Sequence, residues 1–224
     1  MFNFLKKEVL GITKRIIRRD FSGNTGVAIK NSILQFSSSI VSKLGSLALN
    51  IILARMLLPE TYGLYTLSLS IIVFFSSFGD MGIGSALITY LSRYKDNIKK
   101  AGAYLFFLRN LKIKLVLIVA LILMMSSYFI ANVLYKKPIF YSLLAGGLYI
   151  VSSHLLAFVI SLFQAQNNFK YPFYKEIFFQ TIRVILIPMT ILFLITKGEE
   201  ILIGGIFLAL SLCFILSIFF IYPK

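Results

Sequence analysis

With 224 residues, of which 58% are hydrophobic and 15% aromatic, the chain is far more apolar than a soluble domain, so lipid is the expected solvent for most of it. The formal charge of +15 does not indicate a nucleic-acid-binding protein, because the basic residues flank apolar stretches instead of forming one basic face. The single cysteine, Cys213, lies in an apolar stretch, which excludes a disulfide framework or a cysteine metal cluster within one chain.

Residues 1–28 form a basic segment ahead of the first apolar stretch. They lack the apolar core of a secretory signal peptide. Apolar residues recur at helical spacing, with lysines and arginines around the rest of the circumference; these apolar residues are Phe2, Leu5, Val9, Ile12 and Ile16. The pattern predicts an amphipathic helix that lies on an anionic membrane surface, with a disordered basic tail as the alternative.

The first transmembrane span is predicted over 29–58. Its polar residues share one arc of the helix and are Gln35, Ser39, Ser42, Lys43, Ser46 and Asn50. Lys43 lies near the middle of the span, where an ammonium that faced lipid would cost about 3 kcal/mol or more. It is therefore expected to face protein or a water-filled cavity. Either it pairs with Asp80 inside the bundle in an architectural role, or it is a cation that faces the substrate.

A turn around Pro59 and Gly63 leads to the second span, predicted over 62–91. This stretch is too long for a helix perpendicular to the bilayer, which needs about 20 residues. We therefore expect it either to extend beyond the bilayer or to break within 79–84, where glycines permit a kink. Residues 93–114, rich in lysine and arginine, are predicted to form a basic connection.

Four further spans are predicted, over 115–134, 139–164, 176–196 and 201–221. The third span is apolar around almost its whole circumference and is expected to face lipid. The fourth carries a polar stripe that includes His154, whose imidazole would either bond a neighbouring helix or take part in proton coupling. In the fifth span, Arg183 is interpreted either as an interfacial anchor or as a cavity cation.

Polar stripes occur on the first, second, fourth and fifth spans. Because polar side chains avoid lipid, we expect these four spans to surround a common polar space. Lysine and arginine are concentrated on the side of the amino terminus, which predicts a protein of the cell membrane with both termini in the cytoplasm. A polar space with a cation near the middle of the membrane is suited to the transport of an anionic molecule.

The hairpin between the first two spans has an unusual order of residues. It reads Ala54-Arg55-x-Leu57-x-Pro59-Glu60-x-Tyr62-Gly63-x-Tyr65 and, after an apolar helix, Gly79-Asp80-x-Gly82-x-Gly84-Ser85-Ala86-Leu87. This order resembles the amino-terminal signature of the polysaccharide transport family. Members of that family are O-antigen and oligosaccharide flippases of the multidrug/oligosaccharidyl-lipid/polysaccharide (MOP) exporter superfamily. The resemblance implies alternating access between two six-helix lobes.

We accordingly predict an all-α integral membrane fold. Residues 1–28 form a cytoplasmic amphipathic segment, and residues 29–222 form a bundle of six transmembrane helices that corresponds to one lobe of such an exporter. Because the predicted spans account for one lobe only, we expect the chain to be a fragment, or to pair with a second six-helix polypeptide or with itself as a homodimer.

The expected function is the flipping of lipid-linked oligosaccharide or polysaccharide precursors, with a polyprenyl-diphosphate-linked sugar as the candidate substrate. The lipid tail can stay in the bilayer while the charged head crosses a hydrated, cationic path. The residues predicted to line that path are Lys43, Ser46, Asn50, Arg55, Asp80, His154 and Arg183. No cofactor and no metal ion are expected.

Two alternatives stay open. An ion-coupled multidrug exporter of the same superfamily could use Asp80 as its coupling carboxylate, although a lysine in the same region suits cationic drugs poorly. The chain could also be a membrane scaffold subunit that does not transport. A membrane enzyme of lipid-linked sugar metabolism is disfavoured, because the 8 acidic residues form no DxxD-type pair for metal–diphosphate chemistry.

Overall fold

The structure, a computed structural model, describes residues 23–94 and 97–221. Its α-helices are α1 (Gly23–Met56), α2 (Pro59–Ser77), α3 (Ile83–Arg93), α4 (Ile98–Tyr128), α5 (Phe140–Ala165), α6 (Lys170–Leu194) and α7 (Glu199–Ile221). A π-helical segment, Phe129–Tyr135, continues α4. The predicted all-α fold class is confirmed. The amphipathic helix predicted for 1–28 lies largely outside the described residues.

Among the residues that the structure describes, five helices are long and apolar enough to cross a membrane: α1 from Gly26, α4 with its π-helical extension, α5, α6 and α7. The helix α2, with 19 residues, is not among them. Together with α3 it occupies the place of the predicted second span. If α2 and α3 are counted as one interrupted element, the described part of the chain agrees with the predicted six-helix lobe.

The second predicted span is interrupted within the predicted glycine-rich stretch. α2 ends at Ser77 and α3 begins at Ile83. Between them Met81 and Gly82 have left-handed backbone conformations, with φ of 41° and 76°. Glycine adopts this conformation without strain because it has no Cβ. Of the two expectations for this span, the break is therefore the correct one.

The predicted basic connection over 93–114 is wrong, because most of it belongs to α4. Asn97 caps this helix, its Oδ1 accepting a hydrogen bond of 3.1 Å from Lys100 N. Lysine and arginine are good helix formers, and no proline occurs between residues 97 and 135 to stop the helix. The helix α6 likewise begins at Lys170 instead of residue 176, with Pro172 in the first turn, where proline is tolerated.

Helices α5 and α7 form the centre of the bundle and pack extensively on each other. On one side α6 packs on α7, and on the other side α2, α3 and α4 pack on α5. Small residues allow close approach: a Cβ on Gly146 would lie 2.5 Å from Ile72 Cγ1. The helix α1 packs mainly on α6, so α1 and α2 stand on different sides of the central helices although they are consecutive in sequence.

Hydrogen bonds fasten the helices at both ends of the bundle. At one end Glu199 Oε1 accepts from Thr61 Oγ1 at 2.8 Å, and Glu200 Oε1 accepts from Phe140 N at 3.1 Å. These contacts join the first turns of α2, α5 and α7. At the other end Ser92 Oγ donates to the carbonyl oxygen of Ala165 at 3.1 Å, which joins α3 to α5.

Candidate functional site

A row of charged and amide side chains runs along one face of α6. Lys175 Nζ donates to Glu176 Oε2 at 2.6 Å, and Gln180 Nε2 donates to Glu176 Oε1 at 2.7 Å. Arg183 Nη2 then donates to Gln180 Oε1 at 2.6 Å. Residues three and four apart lie above one another on a helix, which places 176, 180 and 183 on one face. Lys175, Glu176 and Gln180 are buried, so the row satisfies polar groups that would be costly to bury alone.

The row continues from α6 to α1. Arg183 Nη2 also donates to Ser46 Oγ at 3.2 Å, and Gln180 Nε2 donates to the Ser42 carbonyl oxygen at 3.4 Å. Between these two serines lies Gly45, where a Cβ would stand 2.2 Å from Gln180 Oε1. A glycine at this position therefore lets the backbone of α1 approach the amide of α6.

Arg183 is the cation of the row that has no acidic partner. The structure has two ion pairs within residues 23–94 and 97–221, Lys175 with Glu176 and Lys112 with Asp80. The guanidinium of Arg183 instead bonds the neutral groups of Gln180 and Ser46 and lies 5.2 Å from the centre of the Phe179 ring. Its positive charge is thus not cancelled by a carboxylate in contact.

A polar pocket of about 220 Å³ adjoins the row; we call it the α1–α6 pocket. It lies between α1, α5 and α6. Its lining residues are Gln35, Ser38, Ser39, Ser42, Ile160, Gln164, Pro172, Lys175 and Glu176. Hydroxyls and amides prevail in this lining, so the pocket can hold water or a polar ligand group.

Lys43 and Asn50 are exposed on α1. By helical spacing they share a flank with Ser39 and Ser46, and Ser39 lines the α1–α6 pocket. Most of the exposed apolar residues of α1 cluster on a different flank; these are Ile33, Ile40, Leu44, Leu47 and Ile51. Phe36 lies between the two flanks, and Val27 lies outside both. The polar flank of α1 therefore lies on the pocket side, and the apolar flank is the one suited to lipid. Arg55 is exposed in the last turn of α1, where a cation complements the helix dipole.

The pairing of Lys43 with Asp80, one of the two interpretations of Lys43, is wrong. Asp80 Oδ1 accepts a hydrogen bond of 2.5 Å from Lys112 Nζ, and Lys112 is only 2% exposed. Lys112 follows Leu108 and precedes Val116 at intervals of four residues, so its side chain lies on the buried face of α4. Lys112 was not predicted as a site residue because residue 112 was placed in a connection. The helical spacing of lysine with apolar neighbours was the signal that could have found it.

His154 stands beside this ion pair. Its Nε2 lies 2.9 Å from Ser76 Oγ and 3.0 Å from the Ser76 carbonyl oxygen, so α5 is bonded to the end of α2. A Cβ on Gly79 would lie 2.7 Å from the same nitrogen. The ring thus bonds a neighbouring helix, as one of the two interpretations predicts.

The ion pair and His154 line a second polar pocket, of about 370 Å³, which we call the helix-break pocket. It lies where the break between α2 and α3 faces α4 and α5. Its lining residues are Asp80, Gly84, Ser85, Ile88, Lys112, His154, Ala157, Phe158 and Ser161. No group of three or more histidine, cysteine or acidic residues in the described ranges could hold a metal ion.

The predicted site residues therefore fall into separate groups. Ser46 and Arg183 come together between α1 and α6, Asp80 and His154 come together at the helix break, and Lys43, Asn50 and Arg55 are exposed. The expected common polar space is two pockets, both bordered by α5. Lys112, Lys175, Glu176 and Gln180 were absent from the predicted set. The signal that could have found Glu176 and Gln180 was their helical spacing from Arg183.

One protein-family profile matches this chain. The profile of the family described as polysaccharide biosynthesis protein matches residues 28–223. No curated protein and no solved structure matches at the level taken as significant. The family match covers most of the chain, and five helices in the described ranges are long and apolar enough to cross a membrane. The chain is therefore a multi-pass membrane protein that belongs to the polysaccharide biosynthesis protein family.

Proposed function

We propose that this protein flips polyprenyl-diphosphate-linked sugars across the cell membrane for the synthesis of surface polysaccharide. The observation that carries the proposal is the uncompensated guanidinium of Arg183 between α1 and α6, in a chain of this family. Lys112 and Lys175 are each neutralised by a carboxylate, whereas Arg183 keeps its charge for another partner. A diphosphate is such a partner, since a guanidinium binds phosphate oxygens through two parallel hydrogen bonds.

The polar flank of α1 supplies the rest of the proposed path. Lys43 is exposed on the flank that borders the α1–α6 pocket, and Ser46 bonds Arg183 on the same flank. A charged headgroup that moved along this flank would meet an ammonium, a hydroxyl and a guanidinium in turn. Its lipid tail would stay in the bilayer. The protein must therefore lower only the free-energy cost of moving the charged head across the membrane.

The proposed mechanism is alternating access against a second six-helix lobe, from another polypeptide or from a second copy of this chain. In that arrangement the polar flank of α1 would face the other lobe across a hydrated cleft. Size measurement in detergent, for the chain alone and with candidate partner chains, tests this part. A stable lone monomer that transports would contradict the two-lobe mechanism.

The proposed orientation places both termini in the cytoplasm. Arg93, Lys99, Lys100 and Lys170 lie at the end of the bundle where Ser92 meets Ala165, and all four are exposed. Exposed lysines and arginines accumulate on the cytoplasmic side of membrane proteins. The opposite end carries Lys136, Lys137 and Lys197 together with Glu199 and Glu200.

Transport of a fluorescent lipid-linked sugar in liposomes tests the function. The variant Lys43→Ala should insert normally and lose transport, because it removes the exposed cation of the polar flank. The matched control is Lys114→Ala, which removes an exposed lysine from α4. Normal transport by the Lys43→Ala variant would remove Lys43 from the mechanism, and absence of transport by wild-type protein with every partner tested would favour a scaffold role.

The alternative of an ion-coupled multidrug exporter has less support. Asp80 was its candidate coupling carboxylate, but Lys112 neutralises Asp80 at 2.5 Å. A cationic drug would also meet the positive charge of Arg183. Uptake of a cationic dye by the same liposomes separates the two functions, since the flippase proposal expects none. We propose a transporter and not an enzyme.

A further inference from the structure

An apolar groove of about 720 Å³ lies on the outer surface of the bundle, between α5 and α7. Met124 of α4 and Leu194 of α6 close its two sides. The other lining residues are Tyr141, Leu144, Ala145, Leu148, Ile201, Gly204, Gly205 and Leu208. The volume is in the range of small-molecule binding sites, which hold about 300–1,000 Å³.

The groove faces away from both polar pockets. On α5 its lining residues include Leu144 and Leu148, whereas the polar pockets use His154, Ser161 and Gln164. At helical spacing these two sets lie on opposite sides of α5. Tyr141, Leu148 and Leu208 on the rim are about half exposed, so the groove is open to the surroundings of the bundle. In a membrane those surroundings are lipid.

Two consecutive glycines form the floor. A Cβ on Gly204 would lie 3.2 Å from Tyr141 Cβ, and one on Gly205 would lie 2.2 Å from Leu194 Cδ1. Because neither residue has a side chain, Tyr141 and Leu194 pack directly against the backbone of α7, and Gly204 is buried. An apolar chain in the groove would therefore contact these two side chains.

The length of the groove favours a lipid chain over a partner helix. From Tyr141 to Leu148 α5 rises about 10 Å. One leaflet of a bilayer has a hydrocarbon depth of about 15 Å, and a transmembrane helix crosses both leaflets. The groove is thus confined to one leaflet, as expected for an acyl chain.

The charge at the mouth of the groove indicates the headgroup. Lys136 and Lys137 are exposed just before α5, and Lys197 is exposed just before α7. Three acids lie at the same end: Glu199 and Glu200 are half-buried and accept hydrogen bonds from Thr61 and from the Phe140 amide, and Glu60 is exposed. Among the exposed groups at this end the three lysines outnumber Glu60, so positive charge prevails towards the headgroup region, where an ammonium can bind a lipid phosphate through a charge-assisted hydrogen bond.

We propose that this groove binds one acyl chain of an anionic glycerophospholipid, whose headgroup contacts the lysines at its mouth. The lipid would be a resident of the lobe and separate from the transported molecule. Since no residue of α1 lines the groove, lipid binding there does not depend on the proposed transport activity.

Native mass spectrometry tests the proposal on the whole chain in micelles that contain phosphatidylglycerol and phosphatidylethanolamine with identical acyl chains. One phosphatidylglycerol should remain bound per chain. The variant Leu208→Trp fills the groove from its rim and should lower the bound fraction about tenfold. The control Leu212→Trp changes a residue of the same helix with matching exposure, 46% against 47%, and should retain the lipid.

The lysine variant Lys136→Gln/Lys137→Gln/Lys197→Gln tests the headgroup separately and should remove the preference for phosphatidylglycerol without removing lipid. Equal retention of lipid by the two tryptophan variants would overturn the groove as the site. Equal binding of both lipids by wild-type protein would overturn the anionic headgroup. A lipid-free dimer that the Leu208→Trp variant abolishes would instead assign the groove to a second copy of the chain.

Discussion

Lys112 Nζ donates a hydrogen bond of 2.5 Å to Asp80 Oδ1, and the two partners differ sharply in burial: the side chain of Lys112 is 2% exposed and that of Asp80 is 53% exposed. The pair joins α4 to the break between α2 and α3. Its two members should therefore respond differently to mutation, because only the lysine is buried and would be left in the interior without a counter-charge.

The variant Asp80→Asn should destabilise the protein by about 3 kcal/mol or more, since it leaves a buried ammonium without a counter-charge. Lys112→Met should cost about 1 kcal/mol or less, because the exposed carboxylate of Asp80 can turn to water while the thioether fills the buried space. Thermal unfolding in detergent measures both. The double variant should recover most of the loss, and a larger effect of Lys112→Met than of Asp80→Asn would contradict the assignment of the buried partner.

The contact between Gly45 and Gln180 sets the distance between α1 and α6. Gly45→Ala should destabilise the protein by about 1–3 kcal/mol, because the new Cβ would stand 2.2 Å from Gln180 Oε1 and force the amide out of the row. Gly63→Ala is the control: no atom lies within 4 Å of the new Cβ, and alanine favours a helix. Denaturation midpoints of the two variants give the comparison. Equal stability would show that the side chain of Gln180 moves aside without cost.

We expect the effects of substitutions at His154 and Gly79 on stability to be coupled. A Cβ on Gly79 would lie 2.7 Å from His154 Nε2, the atom that bonds Ser76. Gly79→Ala should therefore destabilise wild-type protein more than it destabilises a His154→Ala background, with a coupling energy of about 0.5–3 kcal/mol in a double-mutant cycle. Gly102→Ala, which meets no neighbour within 4 Å, should show no such dependence on His154.

Substitutions of Arg183 can separate a role of its positive charge in transport from a role in holding the structure together. Arg183→Gln removes the uncompensated cation and should lower flipping about tenfold or more, as expected for the loss of one charge-assisted hydrogen bond to the headgroup. Arg183→Lys keeps the charge and should retain part of the activity. Flipping assays of both variants, with protein amounts matched by insertion, give the result. If the lysine variant were as inactive as the glutamine variant, the role of Arg183 would be to hold Gln180 and Ser46 in place.

The proposed orientation can be tested by cysteine labelling, since the natural Cys213 is fully buried and should not react. In intact cells, an impermeant maleimide should label Lys197→Cys but not Lys99→Cys. After permeabilisation it should label both, because both positions are exposed. The reverse pattern would place the termini on the outside.

Part of the fold and of the candidate site could be predicted from the sequence, and part could not. The bounds of α5 and α7 follow the predicted spans closely, because an apolar stretch of fixed length has few alternatives in a bilayer. The break near Gly82 was one of two open expectations, since composition alone does not say whether a long helix tilts or bends. The start of α4 was missed because the basic residues were interpreted as a connection between two spans, although lysine and arginine are also good helix formers.

The sequence by itself determined that this protein is helical, that it lies in a membrane and which residues are too polar to face lipid. Those properties depend on composition and on spacing along one helix. Only the tertiary structure decided the partners: Asp80 bonds Lys112 and not Lys43, and Arg183 bonds Ser46 across two helices. The reason is that helix pairing depends on close contacts, such as Gly45 against Gln180, between residues far apart in the chain.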